Sequence, residues 1–253
     1  MSNLNQTDIL AVVIIILIIF LTLLAVILAK RSTKKPLQTP QVFDGIDTLM
    51  HRSSEEGKTL LIGLGEGFTG LGTGLGDTTG LMVEKFLMSQ VVFNDKPAHS
   101  YSADGGLACL SHMVVRGAYE DAMATELFRS DHNQLAGPGP FAGIAALLPE
   151  LARDDNAGLV MMGSYRPESI LIADMAERKN VPLIFASGSV PAQAAFFVTE
   201  AEIALGEDYY LPDVGKSNQD YSQVSSKVLN WLRILVAVGL VVAAVLKLSG
   251  VLP

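Results

Sequence analysis

Apolar residues along this chain gather into one long unbroken run near each end, with short, glycine-punctuated groups between them. Residues 9–29 form 21 positions without a charge, and residues 234–246 form 13 more between Arg233 and Lys247. A bilayer core takes about 20 apolar residues in a helix, so the first run is long enough to span. The second reaches that length only if Arg233 and Lys247 snorkel and residues 248–252 add their apolar surface. The pattern predicts a short N-tail over 1–8, a transmembrane helix over 9–29 and a basic juxtamembrane linker over 30–44. A folded domain over 45–216, a stalk helix over 217–233 and a second transmembrane helix over 234–253 complete the order.

Inside the domain the apolar period alternates between helix and strand. Ile46, Leu49 and Met50 share one face of a helix over 46–56. Residues 59–62 are a short apolar run of the kind that forms a buried strand, and they feed a glycine-rich segment over 63–80. Helical spacing resumes over 81–92 and again over 104–116, where Asp104 stands as an N-cap before Gly105 and Gly106. Residues 125–129 read as a strand, 137–140 as a break, and 140–153 as a helix with Phe141, Ile144, Ala145 and Leu148 aligned. A buried strand over 158–162, a helix over 167–179 and a buried strand over 181–186 follow, with Asn180 and Pro182 marking the helix exit. Strand, helix and strand at this spacing are a parallel crossover unit. Residues 191–197 continue as helix, and 200–211 fit neither period. The expected fold is α/β: a Rossmann-like three-layer domain with a mainly parallel sheet, flanked by N- and C-terminal transmembrane helices.

Charge gives that domain an orientation. Lys30, Arg31, Lys34 and Lys35 follow the first apolar run, whereas only Asp8 precedes it. Lysine and arginine bias a membrane end toward the cytoplasm, and Lys227 and Arg233 before the second run agree. The expected location is the cell membrane, two-pass, with the domain cytoplasmic and both termini outside. Residues 36–228 carry 12 Lys+Arg against 25 Asp+Glu. An acidic body with basic rims suits attachment to an anionic bilayer and excludes nucleic acid as a partner, because phosphate contacts need a basic face. The single cysteine, Cys109, lies among Leu107, Ala108 and Leu110 and reads as a small buried hydrophobe.

Residues 63–80, GLGEGFTGLGTGLGDTTG, hold eight glycines in 18 positions. Gly65-x-Gly67-x-x-Gly70 after a strand matches the dinucleotide-binding fingerprint, whose glycines turn backbone N–H groups toward a pyrophosphate at a helix N-terminus. Against it stand a helix expected to open only near Leu81, the negative charges of Glu66 and Asp77, and the absence of a Lys-Ser/Thr pair. The alternatives are an apolar, backbone-rich contact surface made by Gly65, Gly67, Phe68, Gly70, Leu71, Gly74 and Leu75 and held by a neighbouring subunit or the membrane, and a cluster of turns packed wholly within the domain.

Candidates for chemistry are sparse. His51, His99, His112 and His132 have no metal-ligand spacing, so a site would have to be assembled in space, as from His99, His112 and Asp104. No cofactor, metal or catalytic set is expected. Gly163, Ser164 and Arg166 follow one buried strand, and Ser187 and Ser189 follow the next. Loops after parallel strands are where α/β ligand sites form, so these five outline a crevice for a small anion, with Arg166 as its cation.

The strings HRSSEEGKTLLIGLGEG, LVMMGSYRPESILIADMAERKNVPLIF and ALGEDYYLPDVG resemble an uncharacterised prokaryotic family of membrane-anchored Rossmann-like α/β domains, a domain of unknown function. The resemblance implies the architecture and carries no catalytic residues onto this sequence. The expected function is that of a non-catalytic structural or assembly protein that self-associates into a higher-order, ring-like membrane complex, beside the bilayer and another membrane subunit as partners. The alternative is a small-molecule- or anion-binding, or enzymatic, α/β domain using the loops after Met162 and Ala186.

Overall fold

The computed structural model describes residues 42–65, 74–137, 139–210 and 236. The chain divides into two units, Gln38–Gly215 and Met1–Leu37 with Lys216–Pro253. The fold described below belongs to the first. Among the described residues no helix is long and apolar enough to cross a membrane. The N-tail over 1–8, the spans expected over 9–29 and 234–253 and the stalk over 217–233 lie outside the described residues, Val236 excepted.

The first unit is a six-stranded, wholly parallel sheet. Its elements run α1 (Val42–Glu56), β1 (Thr59–Gly63), α2 (Gly74–Val91), β2 (His99–Ser102) and α3 (Gly105–Asp121). They continue as β3 (Asn133–Leu135), α4 (Pro140–Leu151), β4 (Asn156–Met162), α5 (Ile170–Lys179), β5 (Leu183–Ala186), α6 (Val190–Phe196) and β6 (Glu202–Ala204). The strand order is β3-β2-β1-β4-β5-β6. That is the doubly wound, Rossmann-like order, which reverses direction between β1 and β4 and leaves a switch point at the carboxyl ends of those strands.

Alternation along the central strands explains the three layers. Leu60 and Ile62 of β1 and Val160 and Met162 of β4 pack with Ile46, Leu87 and Val115 on the face covered by α1, α2 and α3. Leu61, Leu159 and Met161 point the other way, into a core with Leu147, Ile172, Phe185 and Phe196 beneath α4, α5 and α6. Every residue of β4 is buried, as a strand covered by helices on both faces must be. Phe185 and Phe196 stack with ring centroids 3.6 Å apart, tying α6 to β5.

The ends of the helices follow local rules. Asp104 caps α3 as its position in the sequence predicts, its Oδ1 accepting from the Leu107 N–H at 2.9 Å. Asn180 takes a left-handed conformation, φ 51°, to end α5. Three readings need correction. The helix expected over 81–92 begins seven residues earlier, because Gly76 and Gly80 serve as packing glycines within it rather than as loop. A Cβ on Gly76 would stand 2.7 Å from Tyr209 Oη, and one on Gly80 would stand 2.6 Å from the Met162 carbonyl. The strand expected over 125–129 is instead the turn Thr125–Leu127, and the edge strand follows at Asn133–Leu135. Its pairing partner β2, HSYS, is too short and polar to register as a buried run. Cys109 is exposed, not buried: Leu107 and Ala108 take the core side of α3, and Cys109 and Leu110 fall outward.

Candidate functional site

At the switch point, where α/β ligands normally sit, the chain packs backbone against backbone. The Gly65 N–H donates to Tyr165 Oη at 2.8 Å, and the Ser164 N–H donates to Asp77 Oδ1 in the first turn of α2 at 3.2 Å. Gly65 has φ +70°, and a Cβ there would stand 2.7 Å from both N and O of Ser164. Gly163, φ +151°, is its counterpart, with a Cβ position 2.6 Å from the Leu64 carbonyl oxygen. Only glycine at both places lets the β1 and β4 loops cross this closely. The Gly65 carbonyl in turn accepts from Ala103 N–H after β2 at 3.1 Å. A carboxylate thus already occupies the N-terminal turn of α2, where a Rossmann-like site would place a phosphate.

The loop after β5 is fastened to the same cluster. Ser187 is fully buried, and its Oγ accepts from the Tyr165 N–H at 3.3 Å and the Ser189 N–H at 3.2 Å. Its carbonyl accepts from Gln193 Nε2 at 2.6 Å, and Gln193 Oε1 accepts from the Gly206 N–H at 3.2 Å. Of the five crevice residues predicted from sequence, Gly163, Ser164 and Ser187 come together through Tyr165. Ser187 stitches loops rather than facing a ligand. Arg166 is exposed at the start of the turn Pro167–Ser169, and Ser189 is half-buried before α6. Beside this cluster lies an apolar crevice lined by Gly65, Tyr101, Ala103, Gly143, Ile144, Leu147, Tyr165, Ser169 and Ile172. Its solvent space is about 20 Å³, room for about one water molecule. A larger groove of about 210 Å³ lies at the amino end of β5 and includes Glu177 and Glu200, the wrong sign for an anion.

Of the contact surface predicted in the glycine segment, Gly65 is committed to the interior, and Gly74 and Leu75 open α2. Gly67, Phe68, Gly70 and Leu71 lie outside the described residues. The helix therefore opens four residues after Gly70, which removes one objection to the dinucleotide fingerprint. The Asp77 and Gly65 contacts supply a stronger one.

The three residues weighed for a metal go to separate places. Asp104 caps α3, His112 sits edge-on to Phe128 at 5.3 Å, and His99 Nδ1 meets the Asp131 carbonyl at 3.1 Å. Among the described residues no group of three His, Cys, Asp or Glu side chains is placed to hold a metal ion.

A further buried polar cluster that sequence reasoning missed lies between α2, α3, β2 and β3. Glu84 is fully buried, and Ser111 Oγ donates to its Oε1. Asn133 Nδ2 donates to Ser111 Oγ and, at 3.0 Å, to Ser100 Oγ. Glu84 Oε2 has no hydrogen-bond partner among the described residues. Burial pushes the carboxyl up to about 7, against the opposing pull of Ser111 and Ser100. His132 nearby is buried against Tyr119, ring centroids 5.3 Å apart, and burial lowers its pKa. The available signal was a lone acid, beside Lys85, within the apolar stretch LMVEKFLM.

No curated protein and no solved structure shows significant similarity to the chain. A family profile, described as domain of unknown function (DUF6754), matches residues 1–252. With that match running almost from end to end, the chain belongs to the DUF6754 family, whose member here is built on a six-stranded parallel α/β sheet.

Proposed function

We propose that this protein is a non-catalytic assembly protein, anchored in the cell membrane by its two terminal apolar runs, whose α/β domain self-associates on the cytoplasmic side with both termini outside. The observation that carries the reading is the interlocked packing at the switch point among the described residues. There Gly65 packs on Ser164, Gly163 packs on Leu64, and Asp77 holds the Ser164 N–H, so protein groups take contacts that an open sheet of this order leaves to a ligand. On this reading the domain acts through its surface. Copies held in one plane by apolar anchors meet at raised effective concentration, so modest contacts suffice. Native mass spectrometry of the full chain, extracted gently from membranes, tests this. A discrete higher-order oligomer is expected; a strict monomer at every concentration refutes it.

The strand order favours a second reading, a small-anion or nucleotide site using the loops after Met162 and Ala186. It requires that phosphate or a nucleotide raise the unfolding temperature, and that Arg166→Ala remove the rise. No shift at millimolar ligand eliminates it.

A further inference from the structure

Helix α3 presents a continuous outer stripe at three- and four-residue spacing: Leu110, Met113, Arg116 with Gly117, and Glu120. Leu110 and Met113 are 39% and 69% exposed. Two residues at this end of the helix run against local helix preference. Gly117 stands in the helix interior, where glycine is among the least favourable residues. Nothing inside the domain requires it: its φ is ordinary and a Cβ there would meet no atom within 4 Å. Met123 stands just past the helix at φ 55°, with its N–H on the Glu120 carbonyl and the Ala124 N–H on the Tyr119 carbonyl. That is the terminal position where glycine is favoured, yet it carries a methionine that is 91% exposed. A helix optimised for its own domain would have neither feature.

We infer that α3 is a self-association face, on which a second copy of this chain packs its own α3 antiparallel about a two-fold axis at the level of Ala118. The inference rests on the assembly reading above and names one of its contacts: a two-fold pair closes at two copies, so a higher-order oligomer is built from such pairs through a second contact. In an antiparallel pair with that axis, Arg116 lies opposite the partner's Glu120, and Glu120 opposite the partner's Arg116. Met113 lies opposite the partner's Met123. Gly117 sits beside the crossing point, where the missing side chain lets two helix backbones approach. Arg116 and Glu120 already form an ion pair within the helix at 2.8 Å, both more than half exposed or nearly so. Pairing two such helices builds a four-charge network of alternating sign, self-complementary as a two-fold interface must be. The methionines add adaptable apolar contact on either side.

The test uses the full chain in mild detergent, with mass photometry and native mass spectrometry for assembly and thermal unfolding for folding. Gly117→Leu, Arg116→Glu and Glu120→Arg should each weaken self-association about tenfold or more, and the double reversal Arg116→Glu/Glu120→Arg should restore it. Gly117→Leu also improves helix propensity, so loss of assembly at an unchanged or raised unfolding temperature separates the interface from folding. A wild-type chain that is monomeric throughout overturns both this inference and the assembly reading. A wild-type oligomer indifferent to Gly117→Leu and to the single reversals overturns only the α3 face. Single reversals that weaken assembly without rescue by the double reversal overturn the antiparallel pairing.

Discussion

Glu84 makes stability depend on pH in a direction opposite to that of a paired carboxylate. Its folded carboxyl holds a proton up to about pH 7, whereas the unfolded chain releases it near the ordinary value of 4.5. Below pH 4.5 both states are protonated and Glu84 exerts no penalty. Between 4.5 and about 7 the folded state binds the extra proton, so stability falls as pH rises. Above about 7 both states are ionised, and the penalty levels off at about 3–4 kcal/mol, the gap between the two values at about 1.4 kcal/mol per pH unit. His132 tilts the same range the other way. Burial lowers its pKa, so the folded state loses ground as pH drops below the ordinary 6.5. Glu56 and Asp155, held low by Lys58 and Lys96 respectively, act only below about pH 4.5. Glu84→Gln keeps the side-chain shape and an acceptor for Ser111 but removes the charge. The variant should match wild type near pH 4.5 and exceed it at pH 8 by roughly 7–14 °C, at about 2–4 °C per kcal/mol for a domain of this size. Its remaining slope should be that of His132, rising with pH and flat above about 6.5. Thermal unfolding of the detergent-solubilised full chain across pH 4.5–8.5 is the assay. Parallel wild-type and Glu84→Gln curves would refute the reasoning, because they would mean that the Glu84 carboxylate is solvated in the folded state.

The interlocked loops give further expectations. Gly65→Ala and Gly163→Ala each force a side chain into left-handed backbone against main-chain atoms less than 3 Å away. Each should lower stability by roughly 2 kcal/mol or more in chemical denaturation; a neutral Gly65→Ala would mean that the β1 and β4 loops are not in contact. Ser187→Ala strips the acceptor from the Tyr165 and Ser189 N–H groups and should cost about 1–3 kcal/mol with the fold retained by circular dichroism. Removing the α3 cap with Asp104→Ala should cost about 0.5–2 kcal/mol, read as faster amide exchange in the first turn of α3.

The sequence is most legible where burial is complete. β1, β4 and β5 each carry an apolar run, over 60–62, 157–162 and 183–186, and the Asp104 and Asn180 helix ends follow from the chemistry of their own side chains. The edge strands escaped. β3 and β6 are three residues each and partly exposed, so they carry no period, and their place is set by pairing to β2 and β5. Glycine density misled in α2, because a helix tolerates Gly76 and Gly80 when Tyr209 and the Met162 carbonyl fill the space a side chain would take. The five crevice residues were legible as loops at the carboxyl ends of β4 and β5, but not their occupation. Which hydroxyl turns inward depends on Tyr165, which reaches Gly65 across 100 residues of sequence.

The chemistry of the closed crevice sets the terms on which a ligand would compete. Both groups held at the switch point, the Gly65 and Ser164 N–H, are donors, and both are met from within the chain, by a phenol oxygen and by a carboxylate. A phosphate could supply acceptors for the two together, but only by displacing Asp77 from the first turn of α2 and Tyr165 from a largely buried position. Moving the Asp77 carboxyl away forfeits its hydrogen bond from the Ser164 N–H before any ligand contact is gained. Moving the phenol also uncovers Gly63, against which its hydroxyl rests. Among the described residues these two donors, which would meet an anion in an open sheet of this order, bind the protein to itself. The same two bonds tie the loops after β1 and β4 to each other, which suits the proposed reading of a domain that acts through its surface better than one that must open around a substrate.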